Sequence, residues 1–134
     1  MIGLVIVTHG QLAQEFLQVL EHVVGPQSAT ACLCVNPEDD MEERRLTLET
    51  LIKDVNRGSG VLLFTDMFGG TPSNLAISLL GRHEALEVIA GVNVPMLVKF
   101  AKVRASLALA QAAEEAQEAG KKYINVASSL LGAA

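Results

Sequence analysis

Two residues of this chain stand where their types and positions allow chemistry, His9 and Asp66. Each follows an apolar run that reads as a strand. Val7-Thr8-His9-Gly10 ends the first such run, and Thr65-Asp66-Met67-Phe68-Gly69-Gly70-Thr71-Pro72-Ser73-Asn74 ends another, then turns on two glycines. If the strands are neighbours, the imidazole and the carboxylate can meet. A carboxylate that accepts a hydrogen bond from one ring nitrogen fixes the tautomer and leaves the other nitrogen as a nucleophile. It would also stabilise the cationic character that the ring acquires on being phosphorylated. Backbone N–H groups around Gly69, Gly70 and Thr71 open a helix there, an arrangement that accepts anions. The glycines let a phosphoryl group approach closely, and the Thr71 hydroxyl can donate to it. Histidine, carboxylate and N–H cradle together describe a transferable phosphohistidine.

Each part also has a plainer reading. A histidine after a strand is commonly a surface or capping residue, Asp66 alone can cap a turn, and Gly-Gly-Thr-Pro alone is a strand-to-helix turn. Their coincidence on equivalent strand tips favours the chemical reading. His22, on a helix, and His83, in a loop after Gly81, lack comparable surroundings and read as structural or solvated. Cys32 and Cys34 alternate on one strand and face one side of the sheet as small buried hydrophobes. Further ligands at metal-site spacing are missing, so neither metal nor cofactor is expected.

The elements that would position these residues follow in order. The apolar run 2–8 suits a strand covered on both faces. A helix over Leu12–Val24 places Ala13, Phe16, Leu17, Leu20, Val23 and Val24 on one face, and Gly25-Pro26 stops it. Thr30–Val35 reads as a second strand. Asp39 or Asp40 caps a helix to about Asn56, with Glu42 and Glu43 at its positive end. A third strand spans 60–65. Thr71 reads as the N-cap of the next helix, Pro72 as its first residue, and Gly81 as its end. A fourth strand spans 87–91, then Pro95 starts a helix through Val103. Ser106 reads as the cap of an alanine-rich helix to about Ala119, ended by Gly120. The segment 123–126 is a candidate fifth strand, followed by a short apolar tail over 128–131. Strands alternating with helices give a single α/β domain over residues 1–134 with a mainly parallel sheet.

The bulk composition excludes several classes. Half of the 134 residues are hydrophobic, yet no apolar run reaches the roughly 18 residues of a membrane span. The apolar start has no basic leader and breaks at once into Thr8-His9-Gly10, so it reads as a strand rather than a secretory signal. The expectation is a complete cytoplasmic chain. A net charge of −5, five aromatics and no basic run argue against nucleic-acid binding.

Three segments carry a resemblance. The stretches 2–10, 61–74 (with Asp-Met-Phe-Gly-Gly-Thr-Pro) and 88–97 (with Gly-Val-Asn-Val-Pro-Met) look like the signature segments of the enzyme IIA component of the mannose-family phosphotransferase system (PTS). The match spans nearly the whole chain in one register. It implies that His9 accepts a phosphoryl group on Nε2 from the phosphocarrier HPr and passes it to a separate IIB protein. That transfer would serve sugar uptake or a regulatory phosphorelay, with Asp66 bound to Nδ1. It implies a three-layer fold with strand order 4-3-1-2. It also implies a homodimer that exchanges a C-terminal strand lying antiparallel on the partner's sheet, for which 123–126 is the candidate.

Two rival readings stand beside this one. A non-catalytic module could hold a small anion at the same turn. A histidine-nucleophile phosphatase would want arginines around the phosphate, and none adjoins His9 or lies between Asp66 and Asn74.

Overall fold

A computed structural model of the chain describes residues 1–83 and 85–132. Four parallel strands, β1 (Gly3–His9), β2 (Thr30–Val35), β3 (Val61–Thr65) and β4 (Leu86–Ala90), form one sheet in the order β2-β1-β3-β4. This is the expected order read from the opposite edge. The helices are α1 (Leu12–Val24), α2 (Met41–Val55), α3 (Thr71–Ile77), α4 (Val94–Val103), α5 (Leu109–Lys122) and the short α6 (Ala127–Leu130).

Strand alternation divides the core in two. Val5, Val7, Val61 and Leu63 face α2 and α3, where Leu48, Ile52, Leu75 and Leu79 complete one cluster. Leu4, Ile6, Leu62 and Phe64 face the other way, onto Leu20 of α1, Leu97 and Phe100 of α4, and Ala112 and Ala116 of α5. Both faces of β1 and β3 are therefore covered, which is why these strands read as unbroken apolar runs. Phe64 and Phe100 meet edge to face, with centroids 5.3 Å apart. Cys32 and Cys34 share the second face and are half-buried; burial, then the neighbouring Cys34, pushes the Cys32 thiol up.

At the amino ends of the strands a buried arginine closes the sheet. Arg104 donates from Nε to the Ile2 carbonyl (2.9 Å), from one terminal nitrogen to the Ala29 carbonyl (2.7 Å), and from the other to Gln27 Oε1 (3.2 Å). Its guanidinium also lies 5.7 Å from the Phe100 ring centre. Burial lowers its pKa to about 10, which leaves it charged at neutral pH.

Several boundaries depart from expectation. The cap of α3 is Gly70, extended and without a side-chain bond, and Thr71 is already helical. Ser106 instead donates to the Val103 carbonyl (3.3 Å) in the turn that finishes α4, and α5 starts later, at Leu109. Gly120 does not end α5 but lies buried inside it. A Cβ there would stand 2.6 Å from the Met96 side chain, so the glycine permits close packing on α4. Val23 is 56% exposed rather than part of the apolar face of α1.

The candidate fifth strand is not formed within the chain. Among the described residues, 123–126 have no ladder partner; α5 runs past Ala119 to Lys122 and Tyr123 becomes its C-cap. The tail expected at 128–131 includes most of the single turn of α6. Among the described residues, no helix is long and apolar enough to cross a membrane.

Candidate functional site

The parallel pairing of β1 and β3 puts Val7 opposite Thr65, so the two strands end side by side. His9 is the last residue of β1, and Asp66 follows β3 directly. The exit of β1 is fixed from within. Thr8, fully buried, accepts from the Ala13 N–H at Oγ1 (2.6 Å) and donates to the His9 carbonyl (3.2 Å). Its hydroxyl thereby caps the start of α1 and holds the histidine's backbone. Sequence reasoning did not assign Thr8 a role, although a threonine five residues before an unpaired helical N–H was a signal for it.

His9 and Asp66, 57 positions apart in sequence, bind each other twice. The ring Nδ1 stands 2.7 Å from Asp66 Oδ2, and the His9 backbone N–H donates to the same oxygen at 3.1 Å. The Met67 N–H donates to the other oxygen, Oδ1, at 3.1 Å. Burial pushes the Asp66 carboxyl up, but the hydrogen bonds from the ring and from the His9 backbone, joined by the ring's charge whenever it is protonated, outweigh it. The net shift holds the carboxyl below its ordinary range. An ionised Asp66 accepts only, so Nδ1 carries the hydrogen and Nε2 keeps its lone pair. The imidazole is 51% exposed and its partner 14% exposed. The carboxylate is tucked beneath a ring that a second protein can reach.

Gly70 lies against the free edge of the ring. A Cβ on Gly70 would fall 2.6 Å from Cε1 and 3.1 Å from Nε2 of His9. Its backbone is extended (φ −91°), so the requirement for glycine is space around the ring, not conformation. Gly69 is the opposite case, with φ +84° and open space where a Cβ would lie. The N–H groups of Gly70, Thr71 and Ser73 have no acceptor among the described residues. The seven residues of α3 make a short helix, so these N–H groups matter more than any dipole.

Other residues complete the surroundings. The Thr65 carbonyl accepts from both Gly91 and Val92 N–H (3.0 Å each), which joins the exit of β3 to that of β4. Asn93 caps α4 by accepting from Met96 N–H (3.0 Å) and donates to the Gly120 carbonyl (2.9 Å). The Gly-Val-Asn segment is thus the scaffold of the site's flank. Met67 lies near Gly70 and is 56% exposed, and Phe68, 69% exposed, lines a cleft along β4. His22 is exposed on α1, and His83 is half-buried beside Leu80, both away from this constellation. Among the described residues, no three His, Cys, Asp or Glu side chains gather as a metal site requires.

Comparison with known proteins gives a consistent result. The family described as "PTS system fructose IIA component" matches residues 3–117. The PTS system mannose-specific EIIAB component of Escherichia coli K12 is 34% identical over 103 residues, 77% of this chain but 32% of that protein. The match thus spans about a third of the length of such curated relatives. The putative phosphotransferase enzyme IIA component YadI of E. coli is 30% identical over 127 residues, covering 93% of this chain and 86% of that one. Among solved structures, the phosphotransferase component EIIA of Streptococcus agalactiae superposes with a TM-score of 0.88 at 23% identity, over 96% of this chain and 99% of that one. The mannose/sorbose-specific IIA subunit of Enterococcus faecalis gives 0.83 at 26% identity, over 93% of each.

Proposed function

The chain belongs to the phosphotransferase-system IIA family, and from that premise we propose that it is a phosphoryl carrier with His9 as the covalent acceptor. Its donor is HPr, and its acceptor is a IIB protein serving sugar uptake or a regulatory target. The observation that carries this reading is the 2.7 Å contact between His9 Nδ1 and Asp66 Oδ2, which leaves Nε2 accessible beside Gly70.

The reaction follows from the protonation states. The Nε2 lone pair attacks the phosphorus of the donor's phosphohistidine in line; the new N–P bond forms as the old one breaks, and the donor ring keeps the electron pair. The phosphorylated His9 ring carries substituents on both nitrogens, and Asp66 neutralises its positive charge. The N–H groups of Gly70, Thr71 and Ser73 and the Thr71 hydroxyl receive the phosphoryl oxygens. In the second half-reaction the acceptor's nucleophile takes the phosphoryl group and His9 leaves as a neutral imidazole. No proton need enter or leave the site, which suits a reversible carrier.

The same reading places the protein in the cytoplasm as a homodimer. Tyr123, Ile124, Val126, Leu130 and Leu131 are each more than 60% exposed. A cleft of about 420 Å³ along the free edge of β4 is lined by Phe68, Val88, Ile89 and Ile124. A second copy's tail covering that edge would bury the cleft and the side chains of Ile124, Val126, Leu130 and Leu131. Light scattering should give a dimeric mass that becomes monomeric on truncation after Lys122.

The test of carrier function is incubation with phosphoenolpyruvate, enzyme I and HPr, followed by intact-mass measurement. One phosphoryl group should appear, and none in His9→Ala. An unmodified protein, or equal labelling of the variant, would refute the reading. A module that only binds anions would stay unlabelled.

A further inference from the structure

Between α4 and α5 runs an open groove of about 790 Å³ whose walls carry Lys99, Lys102, Lys121 and Lys122. The sequence contains five lysines, so four of them stand on this one feature. Only two carboxylates, Glu115 and Glu118, line it with them, on a protein whose formal charge is −5. Lys99 Nζ lies 3.8 Å from Glu115. Lys102, Lys121 and Lys122 have no acidic partner among the described residues, and the Lys122 ammonium lies over the Tyr123 ring at 5.5 Å. The floor between the ammonium groups is apolar, made by Val94, Pro95 and Val98 of α4 and by Tyr123.

One end of the groove lies at the end of the sheet that carries His9. Val94 opens α4 just past the carboxyl end of β4, at the same end of the sheet as His9, although α4 packs on the face opposite α3. Lys121 also lines the neighbouring cleft that contains Phe68, which stands two residues after Asp66. A protein seated on His9 and lying across the strand tips towards Val94 would reach the groove at that end.

We propose that this groove receives an acidic, amphipathic segment of the protein that takes the phosphoryl group from His9. This inference rests on the carrier reading and adds the acceptor's chemistry: carboxylates for the lysine rim and aliphatic side chains for the floor. A peptide segment fits better than a compact anion. From Val94 to Lys102 the helix rises roughly 12 Å, so the ammonium groups are spread along a length that a single phosphate or sugar phosphate does not span. Such a rim sets the encounter rate and the register of docking. Donor and acceptor must use one histidine in turn, and a groove that opens at the same end of the sheet lets the acceptor bind through contacts the donor does not share.

The test uses the full chain, labelled with ¹⁵N, and a 14-residue amphipathic peptide of Glu and Leu, with its Lys–Leu counterpart as control. The Glu–Leu peptide should shift the amides of Val98, Ala119 and Tyr123 saturably. Its affinity should fall about tenfold when salt is raised severalfold, and about tenfold in Lys121→Glu/Lys122→Glu, whose melting should match the parent. Equal binding of the cationic peptide, shifts confined to other surfaces, or indifference to the double substitution would overturn the inference. So would displacement of the peptide by inorganic phosphate at equal concentration, which would assign the groove to small anions. A salt-dependent change in oligomeric mass in the double variant would assign it to a second copy and likewise overturn it. Labelling with phosphoramidate, a small donor that needs no docking, separates the two levels. If His9 is labelled but the groove ignores the peptide, only the docking inference falls. If His9 takes no phosphoryl group from phosphoramidate or from HPr, the carrier reading falls and the inference with it.

Discussion

Substituting Gly70 by alanine should leave the fold intact and disable the histidine. The added Cβ would stand 2.6 Å from His9 Cε1 and 3.1 Å from Nε2, where unstrained carbon contacts begin near 3.5–4.0 Å. About 1 Å of relief is needed. The ring can supply it by swinging towards solvent, since it is half exposed, whereas β1 and β3 are buried and cannot move. Swinging the ring by that amount lengthens the 2.7 Å Nδ1–Asp66 contact beyond hydrogen-bond range, and the new methyl group stands where the phosphorus would approach in the proposed transfer. A misplacement of roughly 1 Å costs on the order of a hundredfold in rate, or about 2.7 kcal/mol of barrier. The backbone cost is nil, because φ −91° and ψ 164° suit alanine well. Removing a glycine's freedom in the unfolded chain even favours folding by about 0.5 kcal/mol.

The informative measurement is therefore a pair. Rapid-quench transfer from radiolabelled phospho-HPr should slow about a hundredfold in Gly70→Ala, while its melting temperature equals or exceeds that of the parent. Gly69→Ala reverses the pattern. Its φ of +84° strains any side chain, yet nothing lies within 4 Å of the new Cβ. That variant should lose about 1 kcal/mol, a fall of roughly 4 °C, and transfer nearly normally. Parental transfer rates in a folded Gly70→Ala would refute the crowding at the ring. Loss of folding there would show that the glycine serves the backbone after all.

Three further outcomes follow from the same contacts. Asp66→Asn should keep the fold and slow transfer by roughly tenfold to a hundredfold, since the amide can hold the ring but not neutralise it; quench kinetics at the parental rate would remove Asp66 from the mechanism. Because the Asp66 carboxyl is held below its usual range, its stabilising contribution is complete above the unfolded value of about 3.9 and is lost as pH falls through the lower folded value. The melting difference between parent and Asp66→Asn should hold at pH 5–7 and shrink below about pH 4, and a difference that vanished by pH 5 would contradict the assignment. Arg104→Ala should cost roughly 3 kcal/mol in chemical denaturation, through the cavity and the abandoned Ile2 carbonyl. It should leave transfer per folded molecule unchanged, since Arg104 lies at the opposite end of the strands.

The parts of the fold legible in sequence were those written in local pattern. Val5, Val7, Leu4 and Ile6 alternate to opposite faces and both faces are covered, so a parallel core strand announced itself. Asp40 capped α2 as its position indicated, accepting from Glu42 and Glu43 N–H. Failures came where a distant contact, or a second local option, overrode the simplest reading. Gly120 reads as a helix stop, yet the Met96 side chain packed against it makes it an interior residue. Ser106 reads as a cap, yet the chain needed two more residues to turn from α4. The Met96 contact lies 24 residues from Gly120, whereas the bond that occupies Ser106 is local, three residues back to the Val103 carbonyl, and competes with capping as a second local option.

The site shows the same division more sharply. His9 and Asp66 were legible because a reactive type at a strand tip is a local feature and neighbouring parallel strands bring tips together. The role of Gly70 was not. As a member of Gly-Gly-Thr-Pro it suggested a turn and access for phosphate, both statements about its own backbone. The structure assigns the turn conformation to Gly69 and gives Gly70 a steric reason, set by a ring 61 positions earlier. The cap moved with it: because Gly70 is extended against the imidazole, it precedes the helix, and Thr71 is freed from capping with its hydroxyl exposed. Two adjacent identical residues thus carry different physical burdens, and only substitution at each in turn can separate the one that shapes the loop from the one that leaves room beside the His9 ring.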